Sequence, residues 1–209
     1  MAELKPTVFV IDDDASVRKS LSRLLKSLGF EVETFASAEL FLCRDPYEGV
    51  GCIVLDIRMP GLDGIALQNE LVKSDYSMPI IFITGHGDIP TSVRAMKQGA
   101  VDFLPKPFDD EELLQAVRRA VEKDIQARTE RGVVREILDE IKRLTPREYE
   151  IFQHVIAGML NKQIAYKLGI AEKTIKIHRG HIMEKLKVTS VAGLVRQAEK
   201  AGIEPAGRP

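Results

Sequence analysis

The chain has 209 residues, enough for two small domains with separate cores, and its 44% hydrophobic and 29% charged content is that of a globular protein rather than a disordered or fibrous one. No apolar run approaches a membrane span, Met1–Pro6 lacks the apolar stretch of a signal peptide, and two cysteines are too few for a disulfide framework or a zinc set, so a reducing cytoplasm is expected, with Cys43 and Cys52 as buried free thiols and no membrane partner. The net charge of −1 hides an asymmetry: residues 1–125 carry 14 Lys and Arg against 21 Asp and Glu (−7), residues 126–209 carry 16 against 10 (+6), and the basic half is the candidate for a polyanionic partner.

The first half alternates short apolar runs with helical patterns. The runs are Thr7–Ile11, Glu31–Phe35, Cys52–Leu55, Ile80–Ile83 and Asp102–Leu104. Between them, Ser16–Leu28, Ala36–Cys43, Ile65–Lys73 and Pro90–Gln98 show helical spacing, with Gly29 and Gly99 placed to end two of the helices. Five such βα units predict a parallel sheet covered on both faces, an α/β doubly wound fold.

The polar residues of interest share one position. Asp12 and Asp13 follow the first apolar run, Asp56 the third, Thr84 the fourth, and Lys106 ends the fifth. In an open parallel sheet the carboxyl ends of the strands line one crevice where the strand order reverses, so all five should converge there. A lone strand-end Asp commonly caps a loop or helix; five polar residues directly after apolar runs are a different matter. Three carboxylates brought together repel one another unless a positive charge intervenes. Oxygen ligands suit a hard ion such as Mg²⁺ (or Mn²⁺). A carboxylate beside such an ion can attack phosphorus to give an aspartyl phosphate, with Lys106 and Thr84 placed to hold the other phosphoryl oxygens.

These residues sit in motifs. Ile11-Asp12-Asp13-Asp14, Leu55-Asp56-Ile57-Arg58-Met59-Pro60-Gly61, Ile83-Thr84-Gly85-His86 and Leu104-Pro105-Lys106-Pro107-Phe108 resemble those of the receiver domains of response regulators, over about residues 5–125. The stretch Gly85–Pro90 is similar to the FixJ-type subgroup. The resemblance implies a flavodoxin-like five-stranded sheet and Asp56 as phospho-acceptor. It implies Asp12 and Asp13 as the acidic pair, with the Arg58 backbone carbonyl completing the metal site. Thr84 would be the switch hydroxyl, Phe103 the switch aromatic and Lys106 the phosphate-pairing lysine, with a cis bond between Lys106 and Pro107. A sensor histidine kinase would donate the phosphoryl group. The face near Val93, Lys97 and Asp102 would then pair with a second copy, giving a homodimer on phosphorylation. By residue type alone Phe103 is as readily a core aromatic.

From Glu111 to Leu144, Leu113, Leu114, Val117, Val121, Ile125, Val134, Ile137, Leu138 and Ile141 repeat at three and four, interrupted only by Gly132 after the polar stretch Gln126–Arg131. This predicts a last receiver helix running into a helical linker, residues 126–143, as either a coiled-coil seam or an exposed helix with a short apolar stripe. Residues 144–204 then read as an all-α domain and 205–209 as a frayed tail.

Thr145-Pro146-Arg147-Glu148 predicts a helix start with a capping box. Gly158 closes that helix, Asn161 can cap the next, and Gly169-Ile170-Ala171 is a short turn into Ala171–Val188, with Val191–Ala201 last. Helix, turn, helix is the arrangement whose second helix enters the DNA major groove. That helix carries Lys173, Thr174, Lys176, His178, Arg179, His181, Lys185 and Lys187, while Ile175, Ile182, Met183 and Leu186 should face inward. Leu144–Glu148, Gly158–Ala165 and Lys173–Arg179 resemble the LuxR/NarL-type helix-turn-helix over about residues 141–203. The resemblance implies double-stranded promoter DNA as partner and dimerisation through the last helix. Base-edge contacts would come from Lys176, Ile177 and position 180, and phosphate contacts from near Asn161, Lys162, Thr174, His178 and Arg179, with Lys173 on the same outward face. Gly180 departs from the pattern, in which a longer polar side chain often stands there. His178 and His181 are close to a chelating spacing, but in the sequence no carboxylate or cysteine joins them in an obvious way, which favours an ordinary solvated face.

The whole reads as a phosphorylation-dependent transcriptional regulator. A Mg²⁺-dependent phosphatase is disfavoured by the absence of a substrate-specificity insertion. A phosphorylation-independent DNA binder is disfavoured by the intact five-residue set.

Overall fold

The structure, a computed structural model, describes residues 5–73, 78–85 and 89–207. Two compact units divide the chain, residues 1–128 and 129–209. In the first, strands β1 (Thr7–Ile11), β2 (Glu31–Phe35), β3 (Gly51–Asp56), β4 (Ile80–Thr84) and β5 (Asp102–Pro105) alternate with helices α1 (Ala15–Ser27), α2 (Ala38–Leu42), α3 (Gly64–Lys73) and α4 (Ile89–Lys97), before α5 (Asp110–Ile141). All strand pairs are parallel, in the order β2-β1-β3-β4-β5. The expected doubly wound sheet is present, and its order reverses between β1 and β3.

The side-chain period of two sorts the core onto both faces of the sheet. Phe9, Ile11, Ile53, Leu55 and Phe82 pack with Phe41, Leu67, Leu71 and Ala95 of α2, α3 and α4. Val8, Val10, Cys52, Val54, Ile81 and Ile83 pack on the other face with Leu21 and Leu25 of α1 and Leu113 and Val117 of α5. Cys52 is the buried thiol expected, and burial pushes its pKa up; Cys43, expected buried, is exposed, because it caps the end of α2 rather than entering the core.

Helix α5 continues through Gly132, where a Cβ would meet nothing within 4 Å. A mid-helix glycine costs about 1 kcal/mol, too little to break a helix anchored along an apolar stripe. The stripe itself departs from expectation. Ile125 is 46% exposed, whereas its neighbour Asp124 is fully buried. Asp124 Oδ2 accepts from Gly51 N at 3.0 Å and from Arg128 Nε at 2.7 Å, and Arg128 Nη1 donates to the Glu48 carbonyl at 2.6 Å. One carboxylate thus fastens α5 to the start of β3.

In the second unit the end of α5 and helices α6 (Pro146–Ile156), α7 (Asn161–Leu168), α8 (Glu172–Lys185) and α9 (Val191–Lys200) enclose a core that includes Ile137, Ile141, Phe152, Ile164, Ile175, Ile182 and Leu194. The capping box of α6 is present: Glu148 N donates to Thr145 Oγ1 at 3.3 Å and Thr145 N to Glu148 Oε2 at 2.8 Å. The cap of α7 is Leu160 rather than Asn161, because the Gln163 side chain reaches back to Leu160 N at 2.8 Å. Gly169, with φ of 64°, ends α7 in the left-handed conformation and allows the short turn into α8. No helix among the described residues is long and apolar enough to cross a membrane.

Removing the buried Asp124 carboxylate leaves the Gly51 N–H without its acceptor and the Arg128 guanidinium without its carboxylate, though still bonded to the Glu48 carbonyl. Because Arg128 can still reach water, Asp124→Ala is expected to lower stability by about 2–4 kcal/mol, read as a shift in the urea midpoint at unchanged slope; a shift under about 0.5 kcal/mol, the usual size for a surface substitution, would refute the fastening role.

Candidate phospho-acceptor site and nucleic-acid interface

At the carboxyl edge of the sheet the two strands flanking the reversal each deliver an acid. Asp12 leaves the end of β1 and is buried; Asp56 is the last residue of β3 and is 6% exposed. Asp13, the next residue after Asp12, is exposed to solvent. A carboxylate oxygen of each lies within 4.8 Å of the others. Asp14, the third acid of the motif, takes no part: it caps α1, accepting from Ser16 N at 2.7 Å and Ser16 Oγ at 2.6 Å.

Lys106 comes in from the end of β5. Its Nζ donates to Asp12 Oδ2 at 2.7 Å and to Asp56 Oδ1 at 3.3 Å. The crowded acids therefore have a positive side chain between two of them, where Lys106 was expected only to hold phosphoryl oxygens. The backbone helps to fix it: Lys106 N donates to the Thr84 carbonyl at 2.7 Å, tying the ends of β4 and β5 together, and the Lys106–Pro107 bond is cis as expected. The Asp12 carbonyl is held by Arg18 Nη1 at 2.7 Å, a contact not anticipated from the sequence.

Thr84 is buried at the end of β4. Phe103 pairs in register with Phe82 and packs, partly buried, against the core of the α2–α4 side. Arg58 lies exposed in the loop two residues past Asp56. Val93 is 45% exposed and Lys97 is exposed on α4, while Asp102 at the start of β5 forms an ion pair with Arg119 of α5. Of the stretch compared with the FixJ-type subgroup, residues 86–88 lie outside the described residues.

Burial pushes the Asp56 carboxyl above its ordinary value; Lys106 opposes this, and the charges of Asp12 and Asp13 add to it. Burial also works against the Lys106 ammonium, but the bond and charge of Asp12, then those of Asp56, outweigh it and raise its pKa.

In the basic unit Ile175 and Ile182 of α8 face the core, and Lys173, Lys176, Ile177, Gly180 and His181 are exposed. Thr174, His178 and Arg179 are half-buried. Asn161, the first residue of α7, accepts a hydrogen bond from Arg179 Nη1, and Lys162 beside it is exposed. A Cβ at Gly180 would meet nothing within 4 Å. One contact was missed in the sequence: the buried Glu148, besides capping α6, receives Lys185 Nζ of α8 at 2.6 Å. Burial works against its carboxylate, yet the bonds from Lys185 and Thr145 prevail and hold its pKa at about 2.

Two family models match along the chain: the response regulator receiver domain over residues 8–118, and the bacterial regulatory proteins of the luxR family over residues 142–198. The chain belongs to the response regulators. It is 48% identical to nodulation protein W of Bradyrhizobium diazoefficiens over 97% of this chain and 89% of that protein. It is 43% identical to the transcriptional regulatory protein FixJ of the same organism, over 95% and 97%. Among solved structures it is similar to the response regulator StyR, with a TM-score of 0.80 at 52% identity over 94% of this chain and 99% of that one. This response regulator, FixJ-like with a LuxR-type output domain, is a phosphorylation-dependent transcriptional regulator and not an enzyme. Its two domains imply a sensor kinase on one side and DNA on the other.

The raised pKa of Asp56 has a consequence for stability. A folded-state carboxyl that titrates above the unfolded one, at about 3.9, contributes stability that is complete below the unfolded value and lost as pH rises through the folded value. In chelator at neutral pH, Asp56→Asn, which has no charge to bury, should therefore unfold at a higher temperature than the wild type, and the gap should close on acidification. Equal midpoints across that range would contradict the burial penalty.

Proposed function

We propose that Asp56 is the phospho-acceptor, with Asp12, Asp13, Asp56 and the Arg58 backbone carbonyl holding Mg²⁺ (or Mn²⁺). What carries the reading is the placement of three carboxylates and Lys106 at one crevice, where the strand order reverses. The donors are hard oxygens, and Asp13 is open to water, which suits an ion that keeps several waters. When bound, the ion neutralises charge on the transferring group. The chain's own part is to aim Asp56. Its carboxylate oxygen attacks the phosphorus of a kinase phosphohistidine, the P–N bond breaks as the P–O bond forms, and the imidazole leaves.

The dianion formed then competes with Asp12 for the Lys106 ammonium and draws in the Thr84 hydroxyl, with Phe103 turning inward beside it. The face carrying Val93, Lys97 and Asp102 pairs with a second copy, and two output domains meet two half-sites of promoter DNA in the cytoplasm. In domain terms, residues 1–125 receive, 126–143 link and 144–204 bind DNA. On α8, Lys176, Ile177 and Gly180 face base edges, while Lys173, Thr174, His178 and Arg179, with Asn161 and Lys162 of α7, serve the phosphates. The exposure of Lys173, Lys176, Ile177 and Gly180 opposite the buried Ile175 and Ile182 supports this assignment.

Asp56→Asn should abolish labelling by a phosphorylated kinase or by acetyl phosphate, and Asp13→Ala should remove the Mg²⁺ binding seen by calorimetry in the wild type. Full labelling of the first variant, or unchanged affinity in the second, would overturn the acidic site.

Lys176→Ala should weaken DNA binding and relax sequence preference, losing on the order of 1–3 kcal/mol of discrimination. Lys162→Ala should weaken binding to all sequences alike and make the salt slope shallower by about one unit. Salt titrations on a specific and a scrambled site distinguish the two, and a reversed outcome would relocate the recognition surface.

A further inference from the structure

His178 and His181 stand three residues apart on α8 and so share a helix face. Glu184, three residues on from His181, is the carboxylate nearest to it in sequence, but the acid the fold groups with the two rings comes from another helix. Glu148, in the first turn of α6, is buried, and one ligand atom from each of Glu148, His178 and His181 lies within 4.8 Å of the others. We infer that this trio binds a divalent transition-metal ion of the zinc class, at a site distinct from the acidic crevice and built on the recognition helix.

Donor chemistry separates the two sites. Two imidazoles and a carboxylate suit Zn²⁺, Ni²⁺ or Co²⁺, whereas an all-oxygen set suits Mg²⁺. The carboxylate is already oriented. Both Thr145 N, at 2.8 Å, and Lys185 Nζ, at 2.6 Å, bond to Oε2, so Oε1 carries neither. Such outer partners fix a ligating carboxylate in place. The ring of His178 adds an independent observation: its Nδ1 is enclosed and, among the described residues, has no hydrogen-bond partner. Enclosed polar atoms ordinarily find one.

Bonds of roughly 2 Å place the ligand atoms of a tetrahedral site about 3.4 Å apart, so modest side-chain rotations close the trio. His181 is exposed and gives the ion its entry. With three protein ligands the remaining position falls to water, and the ion ties α8 to the first turn of α6.

The test uses the full chain in excess Mg²⁺, which occupies the acidic crevice. Titration with Co²⁺ should give the visible d–d bands of a low-coordinate site at one equivalent, and Zn²⁺ should bleach them and raise the thermal midpoint. Because Glu148 also caps α6, the deciding variant is His181→Ala, an exposed position outside the proposed DNA contacts. It should lose the midpoint shift and bind Co²⁺ more weakly by more than the roughly 10–100-fold produced by losing an outer partner, whereas Asp13→Ala should leave both unchanged. Absence of the bands, their persistence in His181→Ala, or their loss in Asp13→Ala would overturn the site. The outcome does not depend on the acceptor role of Asp56, which the labelling experiment reads.

Discussion

The Lys106 ammonium, bonded at once to Asp12 and Asp56, is the contact on which the acidic crevice depends. Like charges about 4 Å apart repel by about 4 kcal/mol at the effective dielectric of a protein surface, and the crevice brings three carboxylates together. One ammonium offsets one of them. Two negative charges are left, and burial of Asp56 sharpens the imbalance. Such an imbalance suits a divalent cation, and on the proposed reading a phosphoryl group added at Asp56 would change the competition for the same lysine. On that reading, the chemistry and the switch draw on one electrostatic imbalance. The sheet maintains it, because the chain leaving β1 crosses to β2 on one edge while the chain leaving β3 crosses to β4 on the other, which opens a crevice above their paired ends.

The second unit uses a carboxylate in the opposite sense. Glu148 is buried but its charge is met on one oxygen: a backbone N–H and the Lys185 ammonium both bond to Oε2, and its pKa falls to about 2 where that of Asp56 rises. The matched carboxylate joins the start of α6 to the end of α8, so the orientation of the recognition helix is set by a polar contact as well as by Ile175 and Ile182. Asp124 has the same character, clasping α5 to β3 through Gly51 and Arg128.

These differences explain what could be read from the sequence. The sheet and its crevice were legible because four of the five short apolar runs lead, at once or one residue on, into Asp12, Asp56, Thr84 and Lys106, and strand ends in a parallel sheet share one edge. The capping box of α6 was legible because it is local, set by Thr145 and Glu148 alone. Contacts across long separations were not. Nothing near Glu148 in sequence points to Lys185 or to the two histidines, and only packing of α6 on α8 brings them together. Asp124 did leave a trace, since it continues the spacing of Leu113, Val117 and Ala120 and is followed four residues later by Arg128. An acid on an apolar stripe with a basic residue one turn on signals a buried pair, and Ile125 was the more conspicuous and misleading neighbour. Cys43 misled for a similar reason, because adjacency to apolar residues in sequence does not decide which side of a short helix end faces water.

Gly180 shows where the fold's own requirements stop. Mid-helix glycine costs about 1 kcal/mol relative to alanine, and glycine is ordinarily kept there by a positive φ or by a close neighbour. Neither applies: α8 is regular through position 180, and a Cβ would meet nothing within 4 Å. Folding alone would favour alanine. On the proposed reading, the reason lies on the outward face, between Lys176 and Arg179 on one side and the DNA on the other. A missing side chain there lets the helix backbone approach the groove more closely and gives up a direct contact at that position. Specificity then rests more heavily on Lys176 and Ile177, one turn nearer the start of the helix, while Arg179, beside the glycine, is held by Asn161 of α7.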